Sequence, residues 1–293
     1  MRLSRVRRQV SRKLLLVCPG FLLLIIAACA LRPEWQRLAR EGDLQEGWLN
    51  SGTFEHLWLA NDAAGSHLRI YVDGDGTPWI RDNRVAIDPT PVNPVLLRLM
   101  HDTSHPAVYL GRPCYFGTAT DKGCEAKWWT FERYGRTVVD SMCRAANEIS
   151  SRLSAESVQL IGYSGGGAIV VGMSECTNRL VGLTTIAGNL DPVSWAEYHD
   201  YSPLRSEHFS IPDSVNQVHW QCRDDSNVPP SATDDFFKKY PGAERRILDD
   251  CTHSSGWEES WPAIIGLSPV GRNQEATGSN FVETWKFPEI ALI

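Results

Sequence analysis

Read for the alternation of apolar and polar positions, the chain breaks into short apolar runs punctuated by glycine, proline and polar residues. Phe54–Ala60 and Leu68–Val72 predict two strands, the second running into Asp73-Gly74-Asp75-Gly76. Pro78–Pro94 carries four prolines and reads as an irregular loop. Val95–Met100 predicts a short helix, and Ala107–Leu110 a strand closed by Gly111-Arg112-Pro113. Val138–Leu153 has helical spacing. Val158–Ile161 is an apolar run of the kind that makes a buried strand, and Ala168–Met173 begins an apolar helix. Leu180–Ile186 predicts the next strand, ending in Ala187-Gly188-Asn189-Leu190-Asp191. A loop insertion follows around 190–215, with Trp195, Tyr198 and Tyr201. Val218–Cys222 (strand), Thr233–Tyr240 (helix) and Arg245–Leu248 (strand) complete the pattern. Strands alternating with helices predict an α/β fold, a mostly parallel central sheet with helices on both faces.

Composition narrows this. The chain has 293 residues, 42% of them hydrophobic, which suits a single domain over 51–293 with an ample core. A formal charge of −6 gives no reason to expect nucleic acid as a partner. Basic residues gather instead at the start: Arg2, Arg5, Arg7, Arg8, Arg12 and Lys13 precede the apolar run Leu14–Ala28. That run is short of the ~20 residues a membrane span needs, and Pro19-Gly20 interrupts it. It ends in Ile26-Ala27-Ala28-Cys29, which resembles the lipobox of bacterial lipoprotein signal peptides. The resemblance implies a signal peptide over 1–28 and acylation of Cys29, the membrane anchor. Residues 29–50 then form a polar linker with a short helix. The expected location is the bacterial cell envelope, facing the periplasm or the exterior. An uncleaved signal anchor is the competing reading and also leaves the domain outside the cytoplasm. Beyond Cys18 and Cys29 six cysteines remain, an even number that suits disulfides in an oxidising compartment. Cys114 with Cys124 is the simplest local pair. There is no C-x-x-C, so no zinc ribbon is expected.

The chemistry gathers at Gly162-Tyr163-Ser164-Gly165-Gly166, a G-x-S-x-G between the predicted strand and helix. Strand, sharp turn and helix are what a nucleophile elbow requires, because the serine hydroxyl must stand clear of the sheet. A side chain at Gly162 or Gly166 would collide where strand and helix pass closely. The hydroxyl of Ser164 then lies over a helix N-terminus, which favours developing negative charge. A serine of ordinary pKa needs a base and an acid to orient that base. His253 follows a late strand in a loop of small residues. Asp225, in Asp225-Ser226-Asn227-Val228-Pro229, opens the turn after the preceding strand, with Asp224 and Asp191 as rivals.

Taken together, the elbow, the D-x-x-V-P turn and the order Ser164, Asp225, His253 resemble the α/β-hydrolase superfamily over roughly residues 50–265. The resemblance implies a serine hydrolase working through an acyl-serine intermediate, on a small-molecule or lipid ester or by acyl transfer, with no metal or organic cofactor. The oxyanion donors would be the N–H groups of Gly165 and Asp75. Tyr71-Val72-Asp73-Gly74-Asp75-Gly76 resembles the family's H-G-x-G but has Asp73 where histidine is usual, and the Gly111-Arg112 turn is the fallback. In that fold Cys222 and Cys251 end neighbouring strands, which implies a bridge between the acid and histidine loops. Cys143 and Cys176 are left to join the helices flanking the elbow strand.

Two other readings compete. Asp73-Gly74-Asp75-Gly76-Thr77 after a strand also resembles the D-x-D-G-T of magnesium-dependent haloacid-dehalogenase-type phosphatases, with Asp224-Asp225 or Asp249-Asp250 as metal acids. A non-catalytic, lipid-anchored binding scaffold is the third. Among eleven tryptophans, Trp128-Trp129, Trp195 and Trp257 lie in loops able to roof a site, with core packing as the alternative.

Overall fold

The structure, a computed structural model, describes residues 33–266 except 82, 83, 102, 206 and 208. The expected signal segment and Cys29 lie outside the described residues. The strands in chain order are β1 (Gln45–Asn50), β2 (Glu55–Ala60), β3 (His67–Val72), β4 (Trp79–Ile80), β5 (Arg84–Val85), β6 (Ala107–Leu110), β7 (Ser157–Tyr163), β8 (Leu180–Ile186), β9 (Asn216–Cys222) and β10 (Glu244–Leu248). The α-helices are α1 (Glu34–Glu41), α2 (Val95–Met100), α3 (Arg136–Arg152), α4 (Gly165–Met173), α5 (Pro192–Tyr198), α6 (Asp234–Lys239) and α7 (Trp257–Gly266).

Eight strands form one sheet in the order β1-β2-β6-β3-β7-β8-β9-β10. The β1/β2 and β2/β6 pairs are antiparallel, and every pair from β6 to β10 is parallel. The fold class read from the alternating pattern is thus the observed one. β4 and β5 form a separate two-stranded ribbon inside the stretch expected as irregular loop.

Parallel strands are covered on both faces, and the period of two sorts their side chains. Leu68, Ile70 and Val72 of β3 and Val158 and Leu160 of β7 pack on one face with α3 and α4. Tyr71, Ile161 and Tyr163 pack on the other with α2, Trp257 and Trp261. Helix α4 is buried on every side, which explains why its sequence, Gly-Gly-Gly-Ala-Ile-Val-Val-Gly-Met, shows no polar face.

The structure corrects the boundary at the start of the domain. From Glu34 on, the stretch expected as a linker belongs to the fold. Helix α1 buries Trp35, Leu38 and Ala39, one stripe at helical spacing, and β1 pairs with β2 over its full length. The insertion after β8 is likewise tied in, through buried Phe209, Ile211 and Val215.

This topology fixes where a site can form. After β3 the chain moves to β6 on one side, then crosses back through α3 to β7 on the other. A crevice opens at the carboxyl ends of β3 and β7, where such sheets hold ligands. Asp73–Gly76 follows β3 there and Ser164 follows β7.

Candidate active site

Ser164 occupies the tip of the turn between β7 and α4 with φ 51° and ψ −123°. A non-glycine residue held there carries strain of about 1–3 kcal/mol, and the packing on either side enforces it. A Cβ on Gly162 would fall 2.5 Å from Val170 Cγ2 and 2.6 Å from the Gly166 carbonyl. A Cβ on Gly166 would fall 2.1 Å from the Val72 carbonyl oxygen. Helix α4 and strands β3 and β7 therefore approach so closely that only glycine fits, and the serine is pushed out above the sheet.

Ser164, His253 and Asp225 meet in a hydrogen-bonded row. His253 Nε2 lies 2.9 Å from Ser164 Oγ, and His253 Nδ1 lies 2.8 Å from Asp225 Oδ2. Asp225 is 2% exposed, and its other oxygen accepts the N–H groups of Asn227 and Val228, each at 2.8 Å. A carboxylate so placed accepts from Nδ1–H, which leaves Nε2 as the acceptor for the serine proton. The rivals stand elsewhere. Asp191 caps α5, accepting from Val193 and Ser194 N–H, and Asp224 is exposed.

The histidine loop is held by contacts no motif announces. Tyr163 Oη and Trp257 Nε1 each donate to the His253 carbonyl at 3.0 Å. Trp257 is fully buried, so it anchors the loop from below rather than roofing the site. Trp128 and Trp129 also pack away from it; Trp129 donates to the Ala86 carbonyl. Trp195 does stand at the site, joined by Trp79 from the β4/β5 ribbon.

The structure holds all three cysteine pairs as disulfides: Cys114–Cys124, Cys143–Cys176 and Cys222–Cys251. The last joins the ends of β9 and β10, from which the Asp225 and His253 loops leave.

The Asp73–Gly76 turn lies against Ser164: a Cβ on Gly74 would sit 3.2 Å from Ser164 Cβ. The N–H groups of Gly165 and Asp75 have no acceptor among the described residues, and both residues line the cleft. Gly111 and Arg112, the fallback donors, do not line it. Asp73, at the position where the resembled family carries histidine, turns inward. It accepts Gly74 N–H at 2.9 Å and Leu96 N–H at 3.1 Å, closing the start of α2. Burial pushes its carboxyl up to about 6, against the opposing pull of the Gly74, Leu96 and Leu97 N–H groups.

Asp75 is engaged on both oxygens. Arg112 Nη1 donates to Oδ1 at 2.5 Å; Arg133 Nε at 2.9 Å and Tyr134 Oη at 2.5 Å donate to Oδ2. Burial raises its carboxyl, but the Arg133 and Arg112 charges and the Tyr134 and Arg112 hydrogen bonds outweigh this and hold it below the usual carboxylate range. The phosphatase reading needs these two aspartates as nucleophile and acid beside a cation. Here one is committed to backbone N–H groups and the other to two guanidiniums. No cluster of three or more candidate metal ligands occurs among the described residues.

Around Ser164 a cleft of about 460 Å³ is lined by Trp79, Trp195, Tyr134, Val92 and Val228, with Asn93, Asn189 and Arg133 among its polar walls.

No protein-family model and no curated protein matches the sequence. Solved structures do resemble it. An esterase from Pyrococcus furiosus superposes with a TM-score of 0.54 at 10% identity, over 78% of this chain and 91% of that one. An α/β serine hydrolase without lid from Xanthomonas campestris gives 0.52 at 12% identity, over 76% and 93%. A membrane phospholipase A, described as a bacterial virulence factor, gives 0.52 at 12% identity, over 84% and 94%. Identities this low carry the likeness of fold, and on strand order, elbow and superposition alike this chain has the α/β-hydrolase fold.

Proposed function

We propose that the protein is a serine hydrolase that cleaves carboxylic esters through an acyl-serine intermediate. The observation that carries the reading is the row Ser164 Oγ, His253 Nε2 and Nδ1, Asp225 Oδ2, with contacts of 2.9 and 2.8 Å, over a strained elbow. In this reading Ser164 Oγ attacks the ester carbonyl carbon while His253 Nε2 takes its proton. The carbonyl oxygen gains the negative charge and meets the N–H groups of Gly165 and Asp75. His253 then returns the proton to the leaving alcohol, and water repeats the sequence to release the acid. Asp225 keeps the imidazole in the tautomer that accepts from serine and stabilises its charged form. One backbone donor at such an oxyanion is typically worth about 10²–10³ in rate.

The cleft's aromatic and aliphatic walls suit a small-molecule or lipid ester. A cell-envelope location, with Cys29 acylated and set in the membrane, is part of the same proposal. The Ile26-Ala27-Ala28-Cys29 motif and the three disulfides support it.

The test is labelling with a fluorophosphonate probe of the wild type, Ser164→Ala and His253→Ala. Labelling of the wild type, lost in both variants, is the expected result. A folded wild type that does not label would refute the reading. Metabolic labelling with a fatty-acid analogue, compared between the full chain and Cys29→Ser, tests the anchor: label retained in the variant would overturn it.

A further inference from the structure

The carboxylate of Asp75 is the largest feature at this site that the row Ser164, His253, Asp225 leaves unused. It is brought there by three separate segments. Asp75 follows β3, Arg112 follows β6, and Arg133 and Tyr134 precede α3. The grip extends to the backbone: Tyr115 Oη donates to the Asp75 carbonyl at 3.0 Å, and Tyr115 adjoins the Cys114–Cys124 bridge. Three groups thus hold the side chain and a fourth holds the carbonyl.

The cluster touches the elbow directly. A Cβ on Gly165 would fall 2.1 Å from Asp75 Oδ1 and 2.7 Å from Tyr134 Oη. It is also unbalanced. Among the described residues Arg112 and Arg133 form ion pairs only with Asp75, so two guanidiniums face one carboxylate. Their side chains are 3% and 6% exposed. Arg112 Nη2 and Arg133 Nη1 also donate to the Arg133 and Thr130 carbonyls, both guanidiniums lie over the Tyr134 ring, and Arg112 Nε is buried without a hydrogen-bond partner among the described residues. An excess buried charge is costly unless something complements it. Arg112 does not line the cleft, so a bound substrate would not touch it. What lies beside the cluster, across Gly165, is the place where one negative charge would develop during acyl transfer. A preorganised positive environment with one charge more than its carboxylate balances, met by a negative charge only in the transition state, speeds the chemical step rather than tightening substrate binding.

Resting on the hydrolase reading above, we propose that Arg112, Arg133 and Tyr134 are positioning residues. Through the Asp75 carboxylate they lock the Asp75 N–H beside that of Gly165, and they set one excess positive charge behind the oxyanion.

The test uses kcat and KM for 4-nitrophenyl acetate together with the affinity for phenylboronic acid. On binding, Ser164 Oγ forms a bond to boron, its proton passes to His253 Nε2, and boron takes the negative charge, so the adduct mimics the charged intermediate. Arg112→Met is expected to lower kcat about tenfold to a hundredfold with KM within twofold, below the loss of a whole donor. Boronate affinity should fall by a similar factor. Arg112→Lys restores the charge without the two-point grip and is expected to recover part of both. Where Arg112→Met does not fold, Tyr134→Phe serves, since it deletes only the hydroxyl on Asp75 Oδ2; a several-fold fall in kcat and boronate affinity is expected. A KM rise at constant kcat, or boronate affinity unchanged in a folded variant, would overturn the proposal. Fluorophosphonate labelling of the wild type separates the two levels. An unlabelled wild type overturns the hydrolase reading and this one with it; a labelled wild type with an unaffected Arg112→Met overturns this one alone.

Discussion

Asp225→Asn exchanges one oxygen for an amino group of nearly the same size, and the surroundings decide which way the amide faces. Asp225 Oδ1 accepts two backbone N–H groups, from Asn227 and Val228, and Oδ2 faces His253 Nδ1. Asparagine has a single acceptor atom. Turned with its oxygen to the backbone it keeps both N–H bonds and points NH₂ at the imidazole. Turned the other way it sets NH₂ against two donors, and each donor left unpaired costs about 1–3 kcal/mol. The first orientation wins. His253 Nδ1 must then present a lone pair, so the ring proton moves to Nε2 and points at Ser164 Oγ. A base in that tautomer cannot take the serine proton. The expected loss in kcat is about 10⁴-fold, equivalent to about 5.5 kcal/mol at 1.36 kcal/mol per decade. KM should move little, and the melting temperature should stay close to that of the wild type because the backbone bonds survive. Asp225→Ala is the contrast: it leaves both N–H groups without acceptors and should also lower the melting temperature by several degrees. Hydrolysis of 4-nitrophenyl esters measures the first quantity and differential scanning calorimetry the second. A folded Asp225→Asn protein with kcat within tenfold of the wild type would refute the assignment of Asp225 as the orienting acid.

Other consequences follow from the same contacts. Burial pushes the imidazole of His219 down to about 3 and that of His56 down to about 4, so each is neutral in the fold yet charges freely when unfolded. Folded values below the unfolded one near 6.5 mean stability that is complete above that value and lost as pH falls. From pH 7.5 to 5 each costs about 2 kcal/mol; urea midpoints across this range should show it, and an undiminished slope in His219→Gln would contradict it. Replacing Cys222 and Cys251 by serine opens a loop with a sequence separation of 29. This should cost about 3–4 kcal/mol by loop entropy, and more activity than the Cys143/Cys176 pair, measured as residual esterase rate below the melting transition. Gly166→Ala drives a Cβ to 2.1 Å from the Val72 carbonyl and should cost about 3 kcal/mol or more, beyond ordinary overpacking. Gly242→Ala, where a Cβ would meet nothing within 4 Å, is the control in a denaturation series, and equal midpoints for the two would refute the packing argument.

What could be read from the chain depended on how much of each feature is local. The elbow lies within one contiguous stretch, Val158 to Val171, where strand, turn and helix follow each other; the crowding at Gly162 comes from the same segment, whereas that at Gly166 comes from β3. Asp225 and His253 were legible because each opens the loop after a late strand, and parallel strands deliver all such loops to one edge. Helix α1 was legible only as a short helix within a linker, and β1 not at all. Only three residues of α1 are buried, and β1 has a single buried residue, Leu49, so both resemble a polar linker until β2 is placed beside them. Trp257 could be given only as two alternatives, roof or core, for a related reason. Its spacing of four from His253 was visible, but whether the indole lies over the cleft or under the loop depends on the face of the sheet that α7 covers.

Asp75 shows where local reading ends. Its place in the glycine turn after β3 was enough to nominate its backbone N–H, because that follows from the path of the chain. Its carboxylate was legible only as the general acid of the competing phosphatase reading. The groups that silence it come from Arg112, 37 residues on, and from Arg133 and Tyr134, 58 and 59 residues on. A lone, half-buried carboxylate behind an oxyanion would repel the charge it is meant to help. Two guanidiniums reverse that sign, which makes the choice of aspartate at this turn intelligible only together with arginines that the sheet topology, and no sequence spacing, brings to it.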